Sequence, residues 1–176
     1  MTEPHARPYH VLFLCTGNTA RSVLAEALLN HLGGGRFVAH SAGSQPKGAV
    51  NPLTIATLEA FGLPGAGYRS KSWDEFAAPS APAMDFIFTV CDSAAGEACP
   101  VWPGQPMTAH WGIEDPAAAT GTALDQQRAF NAAFHFLRNR IASFVALPLA
   151  TLDQMTLRHR LETIGAGEGA SAMSTR

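Results

Sequence analysis

Apolar positions first crowd together at residues 9–15, YHVLFLC. The run is rich in strand-forming side chains and too short for a lone helix, which predicts a strand buried on both faces. From Arg21 the period changes. Val23, Leu24, Ala27, Leu28 and Leu32 fall on one side of a helix, and Gly33, Gly34 and Gly35 end it. Residues 36–41 read as a second short strand. Asn51-Pro52 is an N-cap followed by proline at the first helical position, opening a helix that runs to Phe61 before Gly62. Residues 62–82 read as loop, with one helical turn near Asp74-Glu75-Phe76. Residues 83–91, AMDFIFTVC, form another buried strand that ends on a cysteine, and residues 107–111 a short fourth. The clearest helix spans residues 124–145, where Phe130, Phe134, Leu137, Ile141 and Phe144 keep one apolar stripe. Thr122 is its N-cap, with Asp125 three residues on, and Pro148 lies beyond its end. A last short helix is expected over residues 151–164. Residues 165–176 are small and polar and predict a flexible tail, leaving one domain over residues 1–164.

Strands alternating with helices predict an α/β fold of three layers, α/β/α, around a parallel sheet with right-handed crossovers. In such sheets ligands bind outside the carboxyl ends of the strands, where strand order reverses. Cys15, Cys91 and the His110-Trp111 pair just ahead of Asp115 all stand at expected carboxyl ends. Features far apart in sequence therefore share one rim.

The chain has 176 residues, 47% hydrophobic and 15% charged, with a net charge of -2. These values fit one domain with a real core. They offer no broad basic surface to nucleic acid or to an anionic membrane. No apolar run approaches the ~18–20 residues of a membrane span. The stretch MTEPHARPYH lacks the apolar centre of a secretory signal, which predicts a cytoplasmic protein. Three cysteines, Cys15, Cys91 and Cys99, are too few for a disulfide scaffold and are expected as thiols. The ordinary role of such a thiol is that of a small buried hydrophobe. Zinc held by Cys91, Cys99 and His110 would need tighter cysteine spacing and a second ligand pair, so no metal is expected.

The stretch between the first strand and the first helix carries the chemistry. Thr16, Gly17, Asn18, Thr19 and Ala20 separate Cys15 from Arg21, and Ser22 follows. Such small and polar residues can curl with their N–H groups inward, a nest for an oxyanion, and the helix aims its positive end at the same place. Gly17 and Asn18 tolerate the left-handed backbone this needs. Arg21 supplies a planar fork for two oxygens. A cysteine in that setting is expected to ionise below the free thiol value and to act as a nucleophile, with Ser22 as a further donor to the sulfur. Asp115 lies on a loop after the fourth strand and suits a general acid that protonates a departing oxygen; Glu114 is its neighbour.

VLFLCTGNTARSVLAEALL, HSAGSQP and the Asp115-Pro116 pair together resemble the low-molecular-weight tyrosine phosphatase family, over about residues 9–146, and within it the arsenate reductase branch. The resemblance implies a four-stranded parallel sheet of flavodoxin-like type. It also implies Cys15 as nucleophile, residues 16–22 as the oxyanion loop and Asp115 as general acid. Phosphatase relatives place an aromatic after the Asp-Pro pair; here Ala117, Ala118 and Ala119 follow. That departure favours a small inorganic oxyanion, arsenate with phosphate or sulfate as mimics, over phosphotyrosine. Arsenic(V) can accept two electrons. By resemblance, Cys91 then attacks the Cys15 sulfur and Cys99 pairs with Cys91 in turn. The segment between Cys91 and Cys99 has to loop or unwind, because a disulfide wants Cα atoms within roughly 4.4–6.8 Å. No bound cofactor is implied. The implied partner is an external reductant of thioredoxin or glutathione–glutaredoxin type, serving a monomer.

Two other readings share these residues: a phosphotyrosine phosphatase with the same first step, and a non-catalytic oxyanion-binding redox sensor that signals through Cys91 and Cys99. Ser41 and Asn18 are expected to pin the loop. Some arsenate reductases of this fold hold a potassium ion nearby. Here SKSWDEF puts Lys71 where a carboxylate would stand, so its ammonium is expected to replace the ion and pair with Glu26.

Overall fold

The first apolar run, β1 (Tyr9–Cys15), is a central strand of the computed structural model, which describes residues 7–97 and 100–172. After it come α1 (Arg21–Leu32), β2 (Phe37–Gly43), α2 (Pro52–Ala60), α3 (Asp74–Ala77) and β3 (Phe86–Thr89). Then follow α4 (Asp92–Ala95), β4 (Met107–His110), a 3-10 turn (Pro116–Ala118), α5 (Ala123–Val145) and α6 (Gln154–Gly165). All pairings in the four-stranded sheet are parallel, in the order β2-β1-β3-β4. The chain leaves β1 to one side for β2 and returns on the other for β3. The switch point therefore lies at the carboxyl end of β1, beside Cys15.

Burial on both faces explains the unbroken apolar run. Val11, Phe13 and Cys15 turn toward the helices α1, α5 and α6, and Leu12 and Leu14 turn the other way. The second face is covered thinly, by α3 and loop residues that bring Trp73, Phe76 and Met84. On the thick face Trp111 is fully buried. It stacks on Phe88 at 3.8 Å between ring centres and donates from its indole to the Leu161 carbonyl at 2.9 Å. That side chain ties α6 to the sheet, together with Leu157 and Leu161 of α6, which are buried in the same core. α5 opens on a full capping box in which the Thr122 hydroxyl accepts from Asp125 N–H and the Asp125 carboxylate accepts from Thr122 N–H.

Three differences from the sequence expectation have physical causes. The strand expected over residues 83–91 is confined to Phe86–Thr89. Asp85 spends its carboxylate on the His10 N–H, at 2.8 Å, and on Arg7. At the other end Cys91 is the N-cap of α4 and not a strand terminus. The second strand extends to Gly43, which lies opposite Cys15. The tail expected to be flexible from residue 165 packs through residue 172 instead: Ala170 bridges Ile113, and Ser171 is buried.

Candidate active site

The loop after β1 is built by its carbonyl groups. Those of Thr16, Gly17 and Thr19 accept from Gln45 N–H (2.9 Å), Lys47 N–H (3.2 Å) and Asn51 N–H (3.1 Å). The hydroxyls of Ser70 and Thr54 reinforce the last two, at 3.0 and 2.7 Å. Each carbonyl thus faces outward, and in a trans peptide the following N–H faces the opposite way, into the curl. Asn18 takes the left-handed backbone with φ 50°. It is fully buried, and its amide donates to Ser22 Oγ at 2.8 Å and Ser41 Oγ at 3.0 Å while accepting from Lys71 N–H at 2.9 Å. Ser41 pins the loop with Asn18, as expected. The Ser22 hydroxyl is engaged by Asn18. Gly43 is needed beside it, because a Cβ there would strike the Thr16 carbonyl and sit 3.1 Å from Asn18 N.

Behind Ser41, Glu26 accepts its hydroxyl at 2.5 Å and lies 3.8 Å from the Lys71 ammonium. Burial raises the Glu26 carboxyl and lowers the Lys71 ammonium from their ordinary values, and each partner offsets the other's shift.

Cys15 and Cys91, both buried, line one cavity of about 270 Å³ together with Thr16, Arg21, Lys47 and Asp115. Arg21 donates from Nη1 to the Ile113 carbonyl at 2.9 Å, and its Nη2 lies 3.7 Å from Asp115. Its Nε is buried and has no hydrogen-bond partner among the described residues. An unpaired donor of that kind suits an anion. Asp115 caps the 3-10 turn, accepting from Ala117 N–H at 2.9 Å. A larger cavity of about 600 Å³ opens beside Asp115 over Ala118, Ala119, Ala132 and Phe136, so no ring closes over the acid from the positions after Pro116.

The sulfurs differ from expectation. Cys91 is drawn down to about 5, first because it accepts the hydrogen bond of the Cys15 thiol. Ala94 N–H (3.4 Å) and Thr16 Oγ1 (3.7 Å) also reach its sulfur. Cys15 is pushed well above the ordinary thiol range, first by giving that bond and then by burial, against the pull of Arg21. The two sulfurs therefore titrate together, one early and one late. The sequence placed the low value on Cys15 because nothing there tells that Cys91 comes within bonding reach and caps a helix.

Two further residues escaped the sequence reading. The Thr16 hydroxyl donates to Glu97 at 3.0 Å, and Lys47 lays its side chain along Gly17 at the cavity lip. Lys47 is the only basic residue between Gly43 and Asn51, which was a usable signal. Cys99, expected to complete the relay, lies outside the described residues.

The family model for low molecular weight phosphotyrosine protein phosphatase matches residues 10–158. The chain belongs to this family. Among members with curated functions, the arsenate reductase of Halalkalibacterium halodurans is 32% identical over 134 residues, covering 76% of this chain and 93% of that protein. The arsenate reductase of Bacillus subtilis is 31% identical over the same shares. Solved structures of the family agree. An arsenate reductase in the phosphate binding state is similar with TM-score 0.65 and 26% identity, covering 78% of this chain and 97% of that one. The arsenate reductase of Archaeoglobus fulgidus gives TM-score 0.61 and 30% identity, covering 78% and 99%. This low molecular weight phosphatase family member thus carries the four-stranded parallel α/β fold that its sequence implied.

Proposed function

We propose that this chain reduces arsenate to arsenite by a thiol relay that begins at Cys15. The observation that carries the reading is that two buried thiols, Cys15 and Cys91, line one cavity with Arg21 and Asp115. A hydrolytic phosphatase needs one sulfur, and a two-electron reduction needs two. Arsenate settles in the loop of residues 16–22, its oxygens on the inward N–H groups and the free Nε of Arg21. The Cys15 thiol gives its proton to Cys91, and the Cys15 thiolate attacks arsenic. Asp115 protonates the departing oxygen, which leaves as water. Cys91 then gives its proton to the Asp115 carboxylate, which lines the same cavity, and attacks the Cys15 sulfur. A sulfur–sulfur bond forms, the sulfur–arsenic bond breaks, and its electron pair stays on arsenic, which leaves as arsenic(III). Two thiols are oxidised to one disulfide, which balances the two electrons gained.

In this reading Cys99 attacks the Cys15–Cys91 disulfide and passes it outward to a dithiol protein of thioredoxin or glutaredoxin type, or to glutathione. Lys71, beside Glu26, takes the place of a potassium ion. Exchanging sodium chloride for potassium chloride is therefore expected to leave activity and melting temperature unchanged, and a marked gain with potassium would refute this role.

The deciding experiment incubates the chain with arsenate and each reductant system and follows NADPH consumption. Cys15→Ser and Cys91→Ser are expected to abolish it, and Cys99→Ser to slow it. Brisk hydrolysis of an aryl phosphate that ignores Cys91→Ser would establish a phosphatase instead. Turnover of neither substrate would leave a sensor.

A further inference from the structure

The family model ends at residue 158, yet the chain beyond it returns to the active rim. Ala170 bridges Ile113, whose carbonyl holds Arg21, and Ser171 N–H donates to the Gly112 carbonyl at 2.9 Å. The buried guanidinium of Arg140 clamps this segment from α5, donating to the Glu168 carbonyl at 3.0 Å and the Gly167 carbonyl at 3.3 Å. The side chain of Ser171, which is only 8% exposed, then reaches across to Asp92 Oδ1 at 2.5 Å. The same carboxylate oxygen meets His110 Nε2 at 2.7 Å, and His110 Nδ1 meets the Thr89 hydroxyl at 2.6 Å. Room for the cluster depends on Gly112, where a Cβ would stand 2.7 Å from Asp92 Oδ1 and overlap the Ser171 hydroxyl.

Asp92 follows Cys91 and is the first residue of α4, a helix of four residues. One turn does not hold itself, since a helix nucleus fixes several dihedrals for one hydrogen bond. The turn that carries the second sulfur is therefore fixed from outside, by the end of β4 and by the segment after α6. We propose that this C-terminal segment is a positioning element of the relay, with Ser171 holding Asp92 so that the Cys91 sulfur lies in line with Cys15. The inference rests on the arsenate reading. It concerns the second step alone, in which the Cys91–Cys15 bond forms as the Cys15–arsenic bond breaks and arsenic keeps the electron pair. In-line attack at sulfur is sensitive to placement, and a shift of about 1 Å can cost on the order of 100-fold.

Ser171→Ala in the full chain removes only the hydroxyl. The N–H bond to Gly112 and the bridge to Ile113 stay, so the anchorage of Arg21 is untouched. The comparison is made in a Cys99→Ser background, where the Cys15–Cys91 disulfide accumulates. Its formation after one addition of arsenate is followed by acid quench and mass spectrometry. Binding at the loop is read separately, from inorganic phosphate protecting Cys15 against iodoacetamide. Ser171→Ala is expected to slow disulfide formation by about tenfold or more while phosphate protection stays within about twofold. Ser171→Thr, which keeps a hydroxyl, is expected to restore the rate. An unchanged disulfide rate in Ser171→Ala overturns the inference, and so does a parallel loss of phosphate protection, which marks general damage. If the chain with Ser171 intact forms no disulfide from arsenate, the arsenate reading itself fails.

Discussion

Cys15 and Cys91 face one cavity, Cys91 collects the Ala94 N–H with the Thr16 hydroxyl nearby, and Cys91 is drawn down while Cys15 is pushed up. One thiol of the pair should therefore ionise early and the other late. In a Cys99→Ser variant, the pH dependence of iodoacetamide labelling, mapped by peptide, is expected to show a first ionisation near 5 that belongs to Cys91. The Cys15 ionisation is expected above the ordinary thiol value of 9.0. A first ionisation near 9 would show that the two sulfurs do not titrate together. Asn18 makes a second residue-scale test, because its backbone and its amide can be separated. Asn18→Gly keeps access to φ 50° but loses the bonds to Ser22, Ser41 and Lys71 N–H. Calorimetry is expected to read a loss of about 1–3 kcal/mol, with a weaker hold on phosphate. Asn18→Ala adds strain at the positive φ and is expected to be worse on both counts.

Among the elements, α5 does more than cover the sheet. Its apolar stripe buries Phe130, Phe134, Leu137, Ile141 and Phe144, and from the same helix Arg140 turns inward with 3% exposure. Its guanidinium donates to carbonyls at Phe136, Gly165, Gly167 and Glu168, and burial lowers its basicity. Arg140→Met keeps the aliphatic stem and removes every donor. Leaving those carbonyls unpaired is expected to cost about 1–3 kcal/mol, read as a lower melting temperature. The segment after α6 should then become open to limited proteolysis near residues 166–172. Equal resistance to protease in both proteins would show that Arg140 does not hold that segment.

For the whole molecule, one contribution to acid stability comes from a group far from the cavity. His40 on β2 stacks on His10 of β1, with 3.0 Å between ring nitrogens, and its pKa falls to about 4. Burial is the main cause, followed by the charges of His10 and Lys71. The unfolded chain binds a proton at His40 below its ordinary value of 6.5, and the folded chain does not until about 4. Stability is therefore present above 6.5 and lost as pH falls from there toward 4. The ring is partly exposed, so the loss amounts to about 1–2 kcal/mol. Urea titrations across that range are expected to show it, and His40→Gln to reduce it. A slope unchanged by the substitution would place the acid sensitivity elsewhere.

Hydrophobic spacing by itself determined β1, α1 and α5, because each buries one stripe or both faces and so imposes a period on the residues, while the Asn51-Pro52 cap and Gly62 announced α2. The run from Cys15 to Arg21 likewise declared its chemistry, since a nucleophile, small loop residues and an arginine must be close in sequence to act at one helix terminus. Tertiary structure alone decided what depends on contact between distant segments. Cys91 meets Cys15 from the cap of α4, and that approach together with the Ala94 N–H draws the Cys91 thiol down while Cys15 is pushed up. The segment after α6 looked loose because small polar residues carry no period. Its order comes from Arg140, Gly112 and Asp92, partners between 27 and 79 positions away, whose donors and acceptors no local pattern announces.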